Sequence, residues 1–258
     1  MEIFNSLTIF RDFAEDKRVS MDLYADRLNA GLLGVYGDTL SIKQFLPTIP
    51  GWCKILPDRF NLRMRVARYA VYPMQISKDQ SQVNHIVDHG YAHLVPFLGK
   101  KRIIVTVHDL IPILTWHGKI PGLNEHHKPW LVEFSLRQLK KAAHIIAVSH
   151  STKKDLVKYC HCKENRITVV HNSLGEGFKS YDPCQRKFLR KTFGFPEDHK
   201  IILLSGLGVY KNHKTSLKVL QELLRRFPDR VLMVRFGRHS EDWEKLVNQT
   251  GLKVFTKA

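Results

Sequence analysis

The stretch Arg102-Ile-Ile-Val-Thr-Val-His108-Asp109-Leu110-Ile111-Pro112 constrains this chain more than any other. Five consecutive apolar or β-branched residues, Ile103 to Val107, predict a strand buried on both faces, which in an α/β protein means a central parallel strand. The run stops abruptly at His108 and Asp109. Polar groups just past the carboxyl end of a parallel strand sit in the crevice where open α/β sheets bind ligands, so both residues are candidates for chemistry. The plain alternative for Asp109 is a cap on the following segment, and for His108 a satisfied histidine at a strand end. Pro112 is expected to stop the chain from simply continuing.

The same signature recurs. Val83 to Val87 reads as a short strand ending in Asp88-His89-Gly90, His144 to Ser149 as another, and Ile167 to Val170 as one ending in His171-Asn172-Ser173. Between them lie expected helices: Ser20 to Leu33 with Ser20 as cap, Tyr91 to Leu98, about Asn124 to Ala142, and one to Tyr159 capped by Ser149 or Ser151. The residues after His108, with Trp116, Pro121 and Gly122, read as a loop, and Leu40 to Leu46 as a strand. This alternation predicts a doubly wound sheet over residues 1–175. Residues 176–194 read as a linker and helix. The alternation then restarts over 195–258, with strands at Lys200–Ser205, Arg230–Phe236 and Leu252–Phe255, and helices at Asn212–Arg226 and Ser240–Thr250.

Charge narrows the partners. Lysine and arginine number 41 against 24 acidic residues, a formal net charge of +17 that favours nucleic acid, acidic lipid or phosphorylated ligands. The most basic helical stretch, with Asp58 as its expected cap, carries Arg59, Arg63, Arg65 and Arg68 among apolar neighbours. Such a face suits an anionic membrane surface; the bland reading is a solvated helix face. No apolar run approaches the roughly 20 residues that span a bilayer, and the polar opening Met1-Glu2-Ile3-Phe4-Asn5 does not read as a signal peptide. Four cysteines without paired spacing fit a reducing cytoplasm. Cys160-His161-Cys162 lacks the second ligand pair that a structural zinc site needs, so no metal is expected.

Four segments in order carry a resemblance: Val105-Thr-Val-His108-Asp109-Leu-Ile-Pro112, Ile146-Ala-Val-Ser149 to Leu156, Ile167-Thr-Val-Val-His-Asn172-Ser173, and Leu203-Leu-Ser-Gly206 followed by Lys211-Asn212. The chain resembles the retaining glycosyltransferases of the GT-B fold, family four, over about residues 83–237. That resemblance implies two Rossmann-like domains, the acceptor bound mainly by the first and a nucleotide diphosphate sugar, UDP- or GDP-linked, mainly by the second. It implies no cofactor and no bound metal. His108 matches the family's histidine that orients the donor sugar, and Gly206, Lys211 and Asn212 match the donor diphosphate site. The alternative for Lys211 is a surface lysine with Asn212 as an ordinary cap. Asp88 and His89 fall on the acceptor side. Tyr210 stands where the family more often has arginine.

Two family features are absent: a glycine-rich loop after the first strand, and a late pair of glutamates seven positions apart. The second domain is therefore expected to be incomplete and this chain an inactive fragment. The function expected is transfer of a hexose, mannose-type or similar, to a glycan or lipid-linked acceptor during surface polysaccharide assembly. The place expected is the cytoplasm or the inner membrane face. The rival is a non-catalytic basic α/β module docking on membrane or nucleic acid.

Overall fold

A computed structural model describes residues 4–57, 59–99, 102–120, 123, 130–175, 178–206, 209–237 and 240–257. The expected cap Asp58, Pro121, Gly122, Gly208 and the start of the helix expected from Asn124 lie outside these residues. The chain divides into two units, Met1–His117 with Glu125–Gly175, and Gly118–Asn124 with Glu176–Ala258.

The first unit runs β1 (Ser6–Phe10), α1 (Val19–Tyr36), β2 (Ser41–Phe45), α2 (Leu62–Val66), α3 (Tyr72–Gln75), β3 (Val83–Ile86), β4 (Arg102–Val107), α4 (Ile111–Trp116), α5 (Trp130–Arg137), β5 (His144–Ala147), α6 (His150–Cys160) and β6 (Ile167–Val169). Its six strands stand in the order β2-β1-β3-β4-β5-β6 with every neighbouring pair parallel. The chain steps outward from β1 to β2, then returns to the other side for β3, so the order reverses between β1 and β3. Ligands bind at such a switch point, beyond the carboxyl ends of the strands.

Burial on both faces explains the apolar strands. One face packs Ile86, Val105, Val107, Ile145 and Ala147 with Leu94 and Leu98, Leu136, and Leu156 of α6. The other packs Leu7, Ile9 and Val87 beneath Tyr24, Ala25, Leu28 and Leu32 of α1. Beneath α1 the strands also carry buried polar groups: Thr106 Oγ1 lies 2.9 Å from the Tyr24 hydroxyl and 2.8 Å from His85 Nε2.

Several expectations need correction. Ser20 is not the cap of α1; it lies within the helix, which begins at Val19 with Arg18 at the cap position. The short helix expected at Tyr91–Leu98 is present, begins two residues earlier at His89, and is 3₁₀, with Pro96, which has no N–H to donate, inside it. Ile111–Trp116 form α4 where a loop was expected, and Pro112 suits the first turn of that helix. The arginine-rich stretch is no single basic face. Asn61 takes a left-handed turn at φ +57°, α2 follows, and a π turn at Ala67–Val71 leads into α3. Arg63 donates to the Lys54 and Leu56 carbonyls, and Arg68 is ion-paired with buried Asp16. Of the four arginines only Arg59 and Arg65 remain exposed.

The second unit contains α7 (Pro183–Thr192), β7 (Lys200–Ser205), α8 (His213–Arg226), β8 (Val231–Phe236), α9 (Glu241–Asn248) and β9 (Phe255–Lys257). Its sheet is parallel, in the order β7-β8-β9. Leu217 and Leu220 of α8, Met233 of β8 and Trp243 of α9 form its core. The last strand begins three residues later than expected.

Candidate active site

In the first unit the residues that follow β1, β3 and β4 come together. Asp12 lies just past β1, Asp88 and His89 past β3, and His108 and Asp109 past β4. Arg18, leading into α1, is ion-paired with Asp88 and stands 3.9 Å from Asp12. Asp88 caps the 3₁₀ helix by accepting from the Gly90 amide at 3.0 Å, and the same oxygen lies 3.1 Å from His89 Nδ1. Burial opposes the charged form of Asp88, but His89 and Arg18 outweigh it and hold the carboxyl below the usual range. Burial likewise opposes charge on His89, and Asp88 reverses the balance and raises it.

Asp12 is the outlier. It is only 6% exposed, and neither carboxyl oxygen has a hydrogen-bond partner among the described residues. Burial first, and the neighbouring Asp88 second, raise its pKa far enough to keep it protonated at neutral pH. Two carboxyls thus share one corner of the switch point, one neutral and one charged, a division that closely spaced acids commonly adopt.

His108 is half-buried, and its ring meets Tyr24 edge-on at 4.8 Å. Nε2 lies 2.9 Å from the Val87 carbonyl. A carbonyl only accepts, so Nε2 carries the proton and Nδ1 is left as the acceptor nitrogen. Burial lowers the pKa of His108, against the pull of the Val87 carbonyl, and keeps the ring neutral. A neutral ring in this tautomer suits a sugar hydroxyl as donor. Asp109 is exposed, and one of its oxygens accepts from the Ile111 amide at 3.0 Å, a local turn ahead of α4, whose cap position is Leu110.

In the second unit β7 ends at a turn whose geometry demands glycine. Gly206 has φ +78°, and a Cβ there would come within 3.2 Å of the Lys211 side chain, which folds over it. Lys211 is exposed, with its ammonium 5.4 Å from the Tyr210 ring. Asn212 precedes α8 at φ +53° but makes no side-chain cap bond. His213 Nε2 donates to the Gly206 carbonyl at 3.2 Å. Beneath them Arg235 of the central strand is fully buried, its guanidinium 5.4 Å from the Trp243 ring centre. A Cβ on Gly237 would lie 3.5 Å from Arg235 Nη2 and 3.9 Å from the Gly206 amide nitrogen, which locates the guanidinium close under the turn.

Sequence reasoning missed Asp12, Arg18 and Arg235. The opening, to about Phe13, reads as weakly strand-like and so takes in Asp12; β1 ends at Phe10, and with that end the rule that flagged His108, polar residues just past a strand, would have found Asp12. Arg235 had its own signal, a charge inside the apolar run Val231-Leu-Met-Val-Arg235-Phe236. Among the described residues no group of three or more His, Cys, Asp or Glu could hold a metal ion, and no helix is long and apolar enough to cross a membrane.

Two parallel-sheet α/β units in series are the build that the GT-B fold implies. The model of Glycosyltransferase Family 4 matches residues 25–174, more than half of the chain, and the chain belongs to that family. It is similar to the serotype-specific mannosyltransferase WbdA of Escherichia coli, at 23% identity over 154 residues. That match takes in 57% of this chain but only 18% of WbdA. Among solved structures it is similar to Anabaena HepE in complex with UDP and glucose, with a TM-score of 0.58 at 14% identity over 99% of this chain and 68% of that one. The apo lipopolysaccharide outer core galactosyltransferase WaaB gives 0.52 at 13% identity over 98% and 67%. At these identities the structural likeness establishes the fold.

Proposed function

We propose that this chain belongs to an enzyme that transfers a hexose, mannose-type or similar, from a UDP- or GDP-linked sugar to a glycan or lipid-linked acceptor. Retention of anomeric configuration, action at the cytoplasmic face and surface polysaccharide assembly complete the reading. The observation that carries it is the contrast between the two strand-end sites. The first offers neutral and acidic hydrogen-bonding groups, Asp12, Asp88, His89 and His108, suited to hydroxyls. The second offers Lys211 over a glycine turn with Arg235 beneath, suited to a diphosphate.

The chemistry follows from those charges. When the bond between the anomeric carbon and the diphosphate oxygen breaks, its electron pair leaves with the nucleotide. The acceptor oxygen forms the new bond to the anomeric carbon, and its proton passes to the departing diphosphate oxygen. Charge that develops on the diphosphate is stabilised by fixed cations already in place, commonly the largest catalytic contribution. Lys211 supplies the ammonium, and Arg235 supplies the guanidinium that Tyr210 does not.

Calorimetric titration of the 258-residue chain with UDP and GDP tests the reading. One nucleotide is expected to bind preferentially, and Lys211→Ala should weaken it at least tenfold. Salt-sensitive binding of any polyanion, without nucleotide preference and indifferent to Lys211, would overturn it in favour of the basic module.

A further inference from the structure

Helix α7 is built inside out. At 100° per residue, Arg186, Lys187, Arg190 and Lys191 occupy one half of its circumference. Cys184, Gln185, Phe188, Leu189 and Thr192 occupy the other, the more apolar half, and Tyr181 of the lead-in extends that side. A surface helix normally turns such a stripe to its own core. Here the basic half is the one tied to the unit. Arg190 donates to the carbonyls of Pro196 and His199 at 2.8 and 2.9 Å, and Lys187 pairs with Glu197 at 3.0 Å.

No residue of α7 is buried; Phe188 is 69% exposed and nearby Phe178 70%. Tyr181, Cys184, Gln185, Phe188 and Leu189 line an open concavity of about 420 Å³. The helix holds its shape without core packing, because Pro183 occupies the first turn and Asp182 and Gln185 form a reciprocal capping box.

Charge selects the occupant. From Phe178 to Phe193 the sequence has five cations, Lys179, Arg186, Lys187, Arg190 and Lys191, against the single carboxylate of the cap Asp182. Arg186 and Lys191 border the apolar stripe on its two sides. An apolar face with aromatic anchors between cationic edges matches a bilayer interface rich in anionic headgroups. Nucleic acid would leave Phe188 and Cys184 without a role. We infer that α7 lies on an anionic lipid surface, with Phe178, Tyr181 and Phe188 inserted and Lys179, Arg186 and Lys191 among the headgroups. This assigns membrane contact to α7 in place of the Arg59–Arg68 stretch, and does not depend on the sugar-transfer reading.

Vesicle co-sedimentation of the 258-residue chain tests it, using phosphatidylcholine alone against phosphatidylcholine with phosphatidylglycerol. Binding is expected only with the anionic lipid. Phe188→Ser should weaken it on the order of tenfold. A triple change of Lys179, Arg186 and Lys191 to Gln should weaken it as strongly, and Arg59→Gln with Arg65→Gln should have little effect. Cys184 is exposed while Cys53, Cys160 and Cys162 are buried, so a polarity-sensitive thiol dye reports on this face selectively. Its emission should shift blue on anionic vesicles. Equal binding to neutral lipid, indifference to Phe188→Ser, an unshifted dye, or a lipid-free dimer that protects Cys184 would each overturn the inference.

Discussion

Replacing Asp12 with Asn tests the reading of the acid pair most directly. At pH 7 the unfolded chain carries Asp12 ionised, whereas the folded chain holds it protonated in its buried corner. Roughly three pH units separate an unfolded aspartate's pKa from neutrality, and at about 1.36 kcal/mol each the folded state gives up ~4 kcal/mol to keep that proton. Asparagine is nearly isosteric and needs no proton. Its amide can donate to ionised Asp88, while attraction between Arg18 and a neutral Asp12 is weak to begin with. Asp12→Asn should therefore stabilise the first unit by roughly 1–4 kcal/mol at pH 7, the spread reflecting how well the amide finds partners. The sign follows from linkage. A carboxyl whose folded pKa is raised contributes its stability in full below the unfolded pKa and loses it as pH rises towards the folded one. The advantage of Asn should thus shrink to nothing near pH 4. Urea unfolding in a Trp243→Phe background isolates the first unit, because the remaining tryptophans, 52, 116 and 130, all belong to it. Destabilisation at pH 7 that disappears in acid would mean that Asp12 is ionised and paired with Arg18, and the account of the pair would fail.

Arg68→Gln should destabilise the first unit by on the order of 2–3 kcal/mol, below the range for a fully buried pair because Arg68 keeps 25% of its surface in water while Asp16 keeps 1%. The same change should leave vesicle binding intact, and a loss of lipid affinity without loss of stability would restore the membrane-facing reading of that arginine. In a full-length enzyme that carries this sequence, His108→Ala should lower sugar transfer by on the order of a hundredfold through lost orientation while moving the melting temperature only a few degrees. A transfer rate within twofold of the parent would remove His108 from the site.

What could be read in the sequence was whatever depended on neighbours along the chain. Ile103–Val107 is apolar without interruption because β4 is covered on both faces, so its position and its polar exit at His108 were legible. The cap of α6 was legible to within two serines for the same local reason; of Ser149 and Ser151 it is Ser149, whose hydroxyl accepts from the Thr152 amide at 3.0 Å. Partners distant in sequence were not legible. Arg18 meets Asp88 across 70 residues and Arg68 meets Asp16 across 52, and no spacing rule reaches that far. The arginine stretch was misread for this reason: four arginines among apolar neighbours suggested one helix face, whereas the Arg68–Asp16 ion pair and the left-handed Asn61 divide it. The residues after His108 read as a loop because Pro112 breaks a strand, yet proline also favours the first turn of a helix, and α4 begins there.

The two strand-end sites show why topology alone does not assign the ligands. Both lie where parallel strands finish, where backbone geometry opens a crevice regardless of sequence. In the first unit that place holds Asp12, Asp16, Asp88 and Asp109, partly balanced by Arg18, Arg68 and His89. An approaching diphosphate would meet the ionised Asp88 with Arg18 already engaged by it, so hydroxyls are favoured over phosphates there. In the second unit the same place holds Lys211, His213 and Arg235, and the described turn contains no carboxylate. Burial lowers the pKa of His213, and the neighbouring Arg235 and Lys211 lower it further. The part due to Arg235 and Lys211 reflects a positive field, and an anion brought to the Gly206 turn should offset that part. The pKa of His213, followed by NMR, should therefore rise when UDP or GDP binds and remain unchanged in the Lys211→Ala variant that cannot hold the nucleotide. A His213 resonance indifferent to saturating nucleotide would separate the glycine turn from the diphosphate site.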